Sequence, residues 1–157
     1  IRLLVQEVLG DDYTQVSGSR RGQMRLQIYA SSRVIAGITD IKTSGANTGI
    51  GNMLANKGGI VATVNMMNTR MTFVSAHLAA HEGDNHYRAR CDNIRSILRE
   101  AKTSDLSSKF DVSMSSHHTF FMGDLNFRTR FGFENKTEDS VKRALSYIEA
   151  KDYNGLY

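Results

Sequence analysis

Apolar positions along the chain fall into two rhythms. Ile1, Leu4, Val5, Val8 and Leu9 recur at three- and four-residue spacing and run into Gly10, the pattern of the closing turns of an amphipathic helix with a glycine stop. β-Branched and aliphatic residues then dominate five short stretches, Tyr13 to Ser17, Met24 to Tyr29, Val34 to Ile41, Ile60 to Met66 and Met71 to Ala76, and these predict strands. Short turns such as Ser19-Arg20-Arg21-Gly22 and Met67-Asn68-Thr69-Arg70 separate most of them, so a mostly antiparallel sheet is expected. From Thr43 to Gly59 the chain is rich in Gly and Asn and follows neither period. That predicts a long connection, and such segments inside compact domains are usually functional.

Helical spacing returns from about Asp84 to Lys102, with Ile94, Ile97, Leu98 and Ala101 inward and Arg88, Arg95 and Arg99 on the wetter side. Thr119 to Met122 reads as a short apolar strand whose Phe120 to Met122 are buried. Thr137 caps a last helix whose Val141, Ala144, Leu145 and Ile148 share one face. With no internal repeat and no low-complexity linker, the chain reads as a continuous piece of one domain. Strands enclosed by helices at several points predict a layered α/β arrangement.

Composition narrows the class. A content of 40% hydrophobic and 23% charged residues over 157 positions suits a globular domain with a real core. No apolar run approaches the roughly 20 residues of a membrane-spanning helix, and the first residues lack the order of a secretory signal. A start at Ile1 rather than Met, and an end at Tyr157 in an apolar segment, predict that both termini belong to something longer. The single cysteine, Cys91, cannot form an internal disulfide, which fits a reducing compartment, and it reads as a small helix residue. The net charge of +4 arises from 13 Arg and 7 Lys against 16 acids. It predicts a polyanionic partner, whether nucleic acid, an inositol phosphate or an anionic membrane surface, without choosing among them.

Three segments carry residues suited to phosphate chemistry. In Phe120-Phe121-Met122-Gly123-Asp124-Leu125-Asn126-Phe127-Arg128, an extended backbone through Asn126 aims Asp124 and Asn126 at the same side of the sheet. A carboxylate there orients or deprotonates a water, and a neighbouring carboxamide donates to a phosphoryl oxygen without adding negative charge. The alternative is a plain turn at a strand end. In Val74-Ser75-Ala76-His77-Leu78-Ala79-Ala80-His81, a strand runs into His77, with His81 one turn on if a helix begins there. A zinc pair lacks a third ligand at suitable spacing. His77 as a phosphate donor and His77 as a strand-capping histidine both remain open, while His86, His117 and His118 read as structural. Asn56-Lys57-Gly58-Gly59 combines two glycines, which leave backbone amides open, with a lysine charge. That describes either an anion cradle or a tight turn bearing an exposed lysine.

The order of these segments closely resembles the inositol polyphosphate 5-phosphatases. The resemblance extends outward to Gln23-Met24-Arg25-Leu26 and its strand, and to Val141 through Tyr157, so it covers nearly the whole chain. It implies an α+β domain with a four-layer α/β/β/α sandwich of deoxyribonuclease-like fold, of which residues 1–157 form a central, incomplete part. It also implies Mg²⁺-dependent removal of the 5-phosphate from phosphoinositides or inositol polyphosphates by attacking water. Asp124 then resembles the residue that positions or activates that water, and Asn126 and His77 resemble phosphate-contacting residues. Lys57 becomes a substrate-binding candidate, joined by Asn56, His81 and, more peripherally, Arg128. The expected partner is a phosphoinositide or inositol phosphate at a peripheral membrane surface in the cytoplasm, with no nucleic acid.

Departures from the family pattern matter as well. The family's metal-binding Glu lies well upstream in a Gln-Glu pair at a strand end. Gln6-Glu7 imitates it inside the opening helix, so Glu7 is expected to be a surface residue and no metal ligand is assigned within the chain. The downstream Trp-Cys-Asp-Arg segment and closing Ser-Asp-His motif are missing, which predicts no turnover by residues 1–157 alone. Phe121 stands where Trp is usual, and Ala55 where Gly often precedes Asn-Lys. Two other classes compete: a nuclease or sphingomyelinase of the same fold, and a non-catalytic module that holds anionic lipid.

Overall fold

The computed structural model describes residues 2–48, 57–103, 109–128, 137–152 and 154. Helix α1 (Arg2–Leu9) leads into a hairpin of β1 (Tyr13–Arg21) and β2 (Met24–Ser31). A one-turn helix α2 (Ser32–Ile35) is followed by β3 (Ile38–Asn47), β4 (Gly58–Met66) and β5 (Thr69–His77). Helix α3 (Asp84–Glu100), strand β6 (His118–Asp124) and helix α4 (Thr137–Glu149) complete the order. Gly10 ends α1 as expected, at φ 77° with its amide donating to the Gln6 carbonyl. Glu7 is exposed, as its place in that helix predicted.

Two sheets form. β1 and β2 pair antiparallel, and a second sheet runs β3-β4-β5-β6. Its first three strands are antiparallel, but β6 lies parallel to β5 after the α3 crossover. The sheets stack through β4, which is buried along most of its length. Its two-residue period sends Ile60 and Ala62 against Met24 and Leu26 of the hairpin. Val61 goes the other way, with Val74 and Ala76, against Ile97 of α3 and Ala101 just past its end. Helix, sheet and sheet therefore stack in that order, and each fully buried aliphatic side chain contributes about 1.5–3 kcal/mol.

Three expectations need correction. Val34 and Ile35 lie in α2 and not in a strand, because the chain must turn there from one sheet to the other; Gly37 closes the corner by donating to the Val34 carbonyl. Thr43 to Asn47 are strand, in register with Ala62 to Gly58, so the connection expected from Thr43 to Gly59 begins only after Asn47. Backbone pairing with β4 holds these residues although their side chains follow no period. In β6 only Phe121 packs on the core, while Phe120 and Met122 are exposed along the outer strand of the sheet.

Two backbone details hold β5, β6 and α3 together. Gly123 has φ 125°, and a Cβ there would lie 2.1 Å from the Ala76 carbonyl oxygen of the paired strand. Beyond α3, the Asp111 carboxylate accepts hydrogen bonds from the Ser113 hydroxyl (2.6 Å), the Ser113 amide (2.9 Å) and the Met114 amide (3.2 Å). This turn seats Val112 in the core, its amide bonded to the Leu98 carbonyl. The Ser113 hydroxyl holds the Asp111 carboxyl below its ordinary value; burial opposes that, and the two amides and the Arg99 charge add to it.

Gly123→Ala is expected to destabilise the fold by more than about 1 kcal/mol in urea denaturation, because both the positive φ and the space are denied to a side chain. Asp111 carries a depressed carboxyl, so its stabilisation is present above the unfolded value of 3.8 and is lost as pH falls through the lower folded value. The stability gap between the protein and Asp111→Ala should therefore be constant near neutral pH and shrink below about pH 4. An undiminished gap in acid would contradict it.

Candidate functional site

The ends of the strands bring the candidate chemistry to one edge of the four-stranded sheet. Asn47 pairs with Gly58, Gly58 with His77, and His77 with Asp124, a single row across β3, β4, β5 and β6. Past the last pair, the Leu78 amide donates to the Asp124 carbonyl and the Asn126 side-chain amide donates to the Leu78 carbonyl at 3.1 Å. Asp124 and His77 are thus fixed side by side through the backbone.

Asn126 reaches the site by a different route from the one expected. The strand stops at Asp124, and Asn126 adopts φ 55°. Its backbone amide turns back onto Asp124 Oδ1 at 3.2 Å, so a tight turn and not a strand period joins the two. One of the two carboxamide hydrogens is used on Leu78, which leaves the other for a ligand.

Lys57 completes the cluster. Its Nζ lies 2.6 Å from His77 Nε2, which is in turn 3.4 Å from Asp124 Oδ2. An ammonium only donates, so the shorter contact requires a lone pair on Nε2 and a proton on Nδ1. The same nitrogen cannot donate to Asp124 while it accepts from Lys57. Asp124 is 64% exposed, which gives water direct access to its carboxylate, while His77 is half-buried beneath.

The other candidates fare differently. Gly58 and Gly59 do not form an amide cradle: both are buried strand residues. Gly58, at φ 142°, admits the Ala46 carbonyl, and Gly59 faces Ile97 of α3, so the missing side chains serve packing. His81 is not on a helix. It sits at φ 74° in the loop before α3, its ring 5.3 Å from that of His86, and no hydrogen bond ties it to the cluster among the described residues. Arg128 is exposed. Asn56 lies outside the described residues.

A buried cation that the sequence reading passed over supports the site. Arg90, 2% exposed, donates from one guanidinium nitrogen to the carbonyls of His81 (2.8 Å) and Ala79 (3.3 Å). Its guanidinium also lies 5.3 Å from the Phe127 ring, which meets Tyr87 edge-on. Asn93, one turn along α3, accepts the Ala79 amide at 3.0 Å. α3 therefore clamps the loop after His77 to the loop after Asp124. The available signal was an arginine at the i−4 and i−7 positions of Ile94 and Ile97, on the apolar stripe where a charge is unexpected.

The donor set does not make a resident Mg²⁺ site by itself. Among the described residues no three His, Cys, Asp or Glu side chains cluster. Asp124 brings one carboxylate to the site and Lys57 brings a competing cation. A hard divalent ion needs further oxygen ligands than these residues provide.

The sequence profile of the endonuclease/exonuclease/phosphatase family 2 matches residues 1–157. The chain belongs to this family. Within the family's range, a phosphatidylinositol 3,4,5-trisphosphate 5-phosphatase 2B of Danio rerio is 33% identical over 129 residues, covering 82% of this chain and 10% of the relative. A phosphatidylinositol 3,4,5-trisphosphate 5-phosphatase 2 of Canis lupus familiaris is 28% identical over 153 residues, 97% of this chain and 11% of the relative. The chain thus spans about a tenth of the length of these relatives. Among solved structures, the inositol polyphosphate 5-phosphatase domain of SPsynaptojanin, in complex with inositol (1,4)-bisphosphate and calcium ion, superposes with a TM-score of 0.66 at 20% identity, covering 94% of this chain and 41% of that one. Cimex nitrophorin, as a ferrous NO complex, superposes with a TM-score of 0.62 at 17% identity, covering 99% and 48%. These two likenesses establish the fold, a deoxyribonuclease-like sandwich present here in part.

Arg90→Ala is expected to lower stability by about 1.5–3 kcal/mol, the range for hydrogen bonds to a charged group. Amide hydrogen exchange should accelerate first at 78–83, and uniform acceleration across β1 and β2 would contradict the clamp.

Proposed function

We propose that the chain is part of a hydrolase that removes the 5-phosphate from phosphoinositides or inositol polyphosphates. The observation that carries this reading is the contact of Lys57, His77 and Asp124 at one strand edge, with Asn126 turned onto the same carboxylate. The names of the Danio rerio and Canis lupus familiaris relatives, both phosphatidylinositol 3,4,5-trisphosphate 5-phosphatases, support the substrate class.

The chemistry assigned to these residues follows from their positions. Asp124, open to solvent and steadied by the Asn126 amide, orients and deprotonates the attacking water. Lys57 supplies a point charge to a phosphate oxygen. When phosphate takes the Lys57 ammonium, His77 Nε2 is released from accepting and, once protonated, donates to a phosphoryl oxygen. The free carboxamide hydrogen of Asn126 donates to the same group. Mg²⁺ would supply charge neutralisation at the scissile phosphate; the oxygen ligands it needs are not gathered among the described residues, so it depends on residues beyond them. We place the protein at the cytoplasmic face of a membrane, as a peripheral enzyme, since its basic charge suits an anionic surface.

Phosphate release from a 4,5-bisphosphorylated inositol lipid, measured with Mg²⁺ in the chain extended through its flanking sequence, tests the reading. Asp124→Ala should lower kcat by about 10²–10⁴-fold, and chelation of the metal should abolish turnover. Lys57→Ala should raise KM more than it lowers kcat. Cleavage of DNA without lipid activity, or full activity of Asp124→Ala, would refute it.

A further inference from the structure

Arg21 and Arg20 end β1 beside an open cleft of about 220 Å³ that also takes Ser19 from the hairpin and Thr43, Ser44 and Gly45 from β3. No carboxylate lines it among the described residues. We propose that this cleft is a second anion-binding site, built to hold a phosphate group.

Each arginine is positioned by a bond that leaves donors over. Arg21 Nε donates to the Asn47 side-chain oxygen at 2.6 Å, and Arg20 Nε donates to the Gly22 carbonyl at 3.2 Å. Neither meets a carboxylate among the described residues, where the ion pairs involve Asp40, Asp92 and Asp124. The half-buried Arg21 guanidinium fits because residue 45 is glycine: a Cβ there would come within 2.8 Å of one of its terminal nitrogens. Thr43, two residues before Gly45 on the same face of β3, sets its side chain on the cleft side, whereas Ser44 lines the cleft through its backbone and its Oγ faces α3, accepting the Lys102 amide at 3.2 Å. A preset guanidinium fork with hydroxyl donors and no competing acid is the chemistry that recognises a phosphate dianion.

The cleft is separate from the Lys57 cluster and yet faces the same end of the sheet. Asn47, which holds Arg21, begins the row that continues through Gly58 to His77 and Asp124. His77 is two strands from Asn47, about 10 Å at the usual spacing. The inference stands on the cleft alone and does not require that the Lys57 cluster be catalytic. The phosphate could belong to a soluble ligand or to a lipid headgroup.

Amide chemical shifts of the full chain, followed during titration with inorganic phosphate and with a soluble inositol polyphosphate, test the site directly. Shifts are expected at Ser19 to Arg21 and Thr43 to Gly45. Arg21→Ala should weaken the affinity reported there about tenfold. Thr43→Asp, which keeps both arginines and adds a carboxylate on the cleft face of β3, should weaken it similarly, and Lys57→Ala should leave it within about twofold. Cosedimentation with phosphatidylcholine vesicles carrying an anionic phosphoinositide identifies the source. Retention on vesicles that Arg21→Ala abolishes supports a headgroup site; tight soluble binding without such retention supports a soluble ligand. Shifts confined to Lys57, His77 and Asp124, or unchanged affinity in both Arg21→Ala and Thr43→Asp, would overturn the proposal.

Discussion

The parallel ladder between β5 and β6 sets the geometry on which the rest depends. Forty-seven positions separate His77 from Asp124 along the chain, and only this register makes them neighbours. A shift by one residue would turn Asp124 to the opposite face of the sheet. The register is protected at several levels: Gly123 admits the Ala76 carbonyl, the Leu78 amide reaches the Asp124 carbonyl, and Asn126 closes back on Leu78. α3 makes the parallel crossover possible and then clamps both loops through Arg90 and Asn93. Stability and site geometry are thus carried by the same contacts.

Titratable side chains crowd together at the strand edge. Lys57 and His77 crowd within 2.6 Å, a contact that is comfortable only while the imidazole accepts. Asp124 offers the single carboxylate in that group. Lys57 and Asp124 therefore compete for one imidazole nitrogen, which can accept from the first or donate to the second but not both. Arg20 and Arg21, which meet no carboxylate among the described residues, extend the positive field along the same edge.

The sandwich alone does not select that chemistry. A nitrophorin solved with ferrous NO shares this architecture at nearly the same TM-score as a 5-phosphatase domain, so function has to be argued from side chains at the strand ends. What separates the readings here is the convergence of Lys57, His77, Asp124 and Asn126, together with sequence relatives that carry a common name.

Elements with strong local periodicity were legible in the sequence. The α3 stripe, the β-branched and aliphatic runs of β2, β4 and β5, the Gly10 stop and the β6 strand follow from local spacing and residue type, and the family was legible as a resemblance because its motifs are contiguous. His77, Lys57 and Asp124 were identifiable as chemistry-bearing residues for the same reason. Their mutual distances were not, nor was the turn that delivers Asn126, the packing role of Gly58 and Gly59, or the clamp made by Arg90. Those depend on which strands pair and on what fills the space between sheet and helix. Apart from the place of Arg90 on an apolar stripe, such nonlocal contacts leave no periodic trace in a single chain, so tertiary structure decided them.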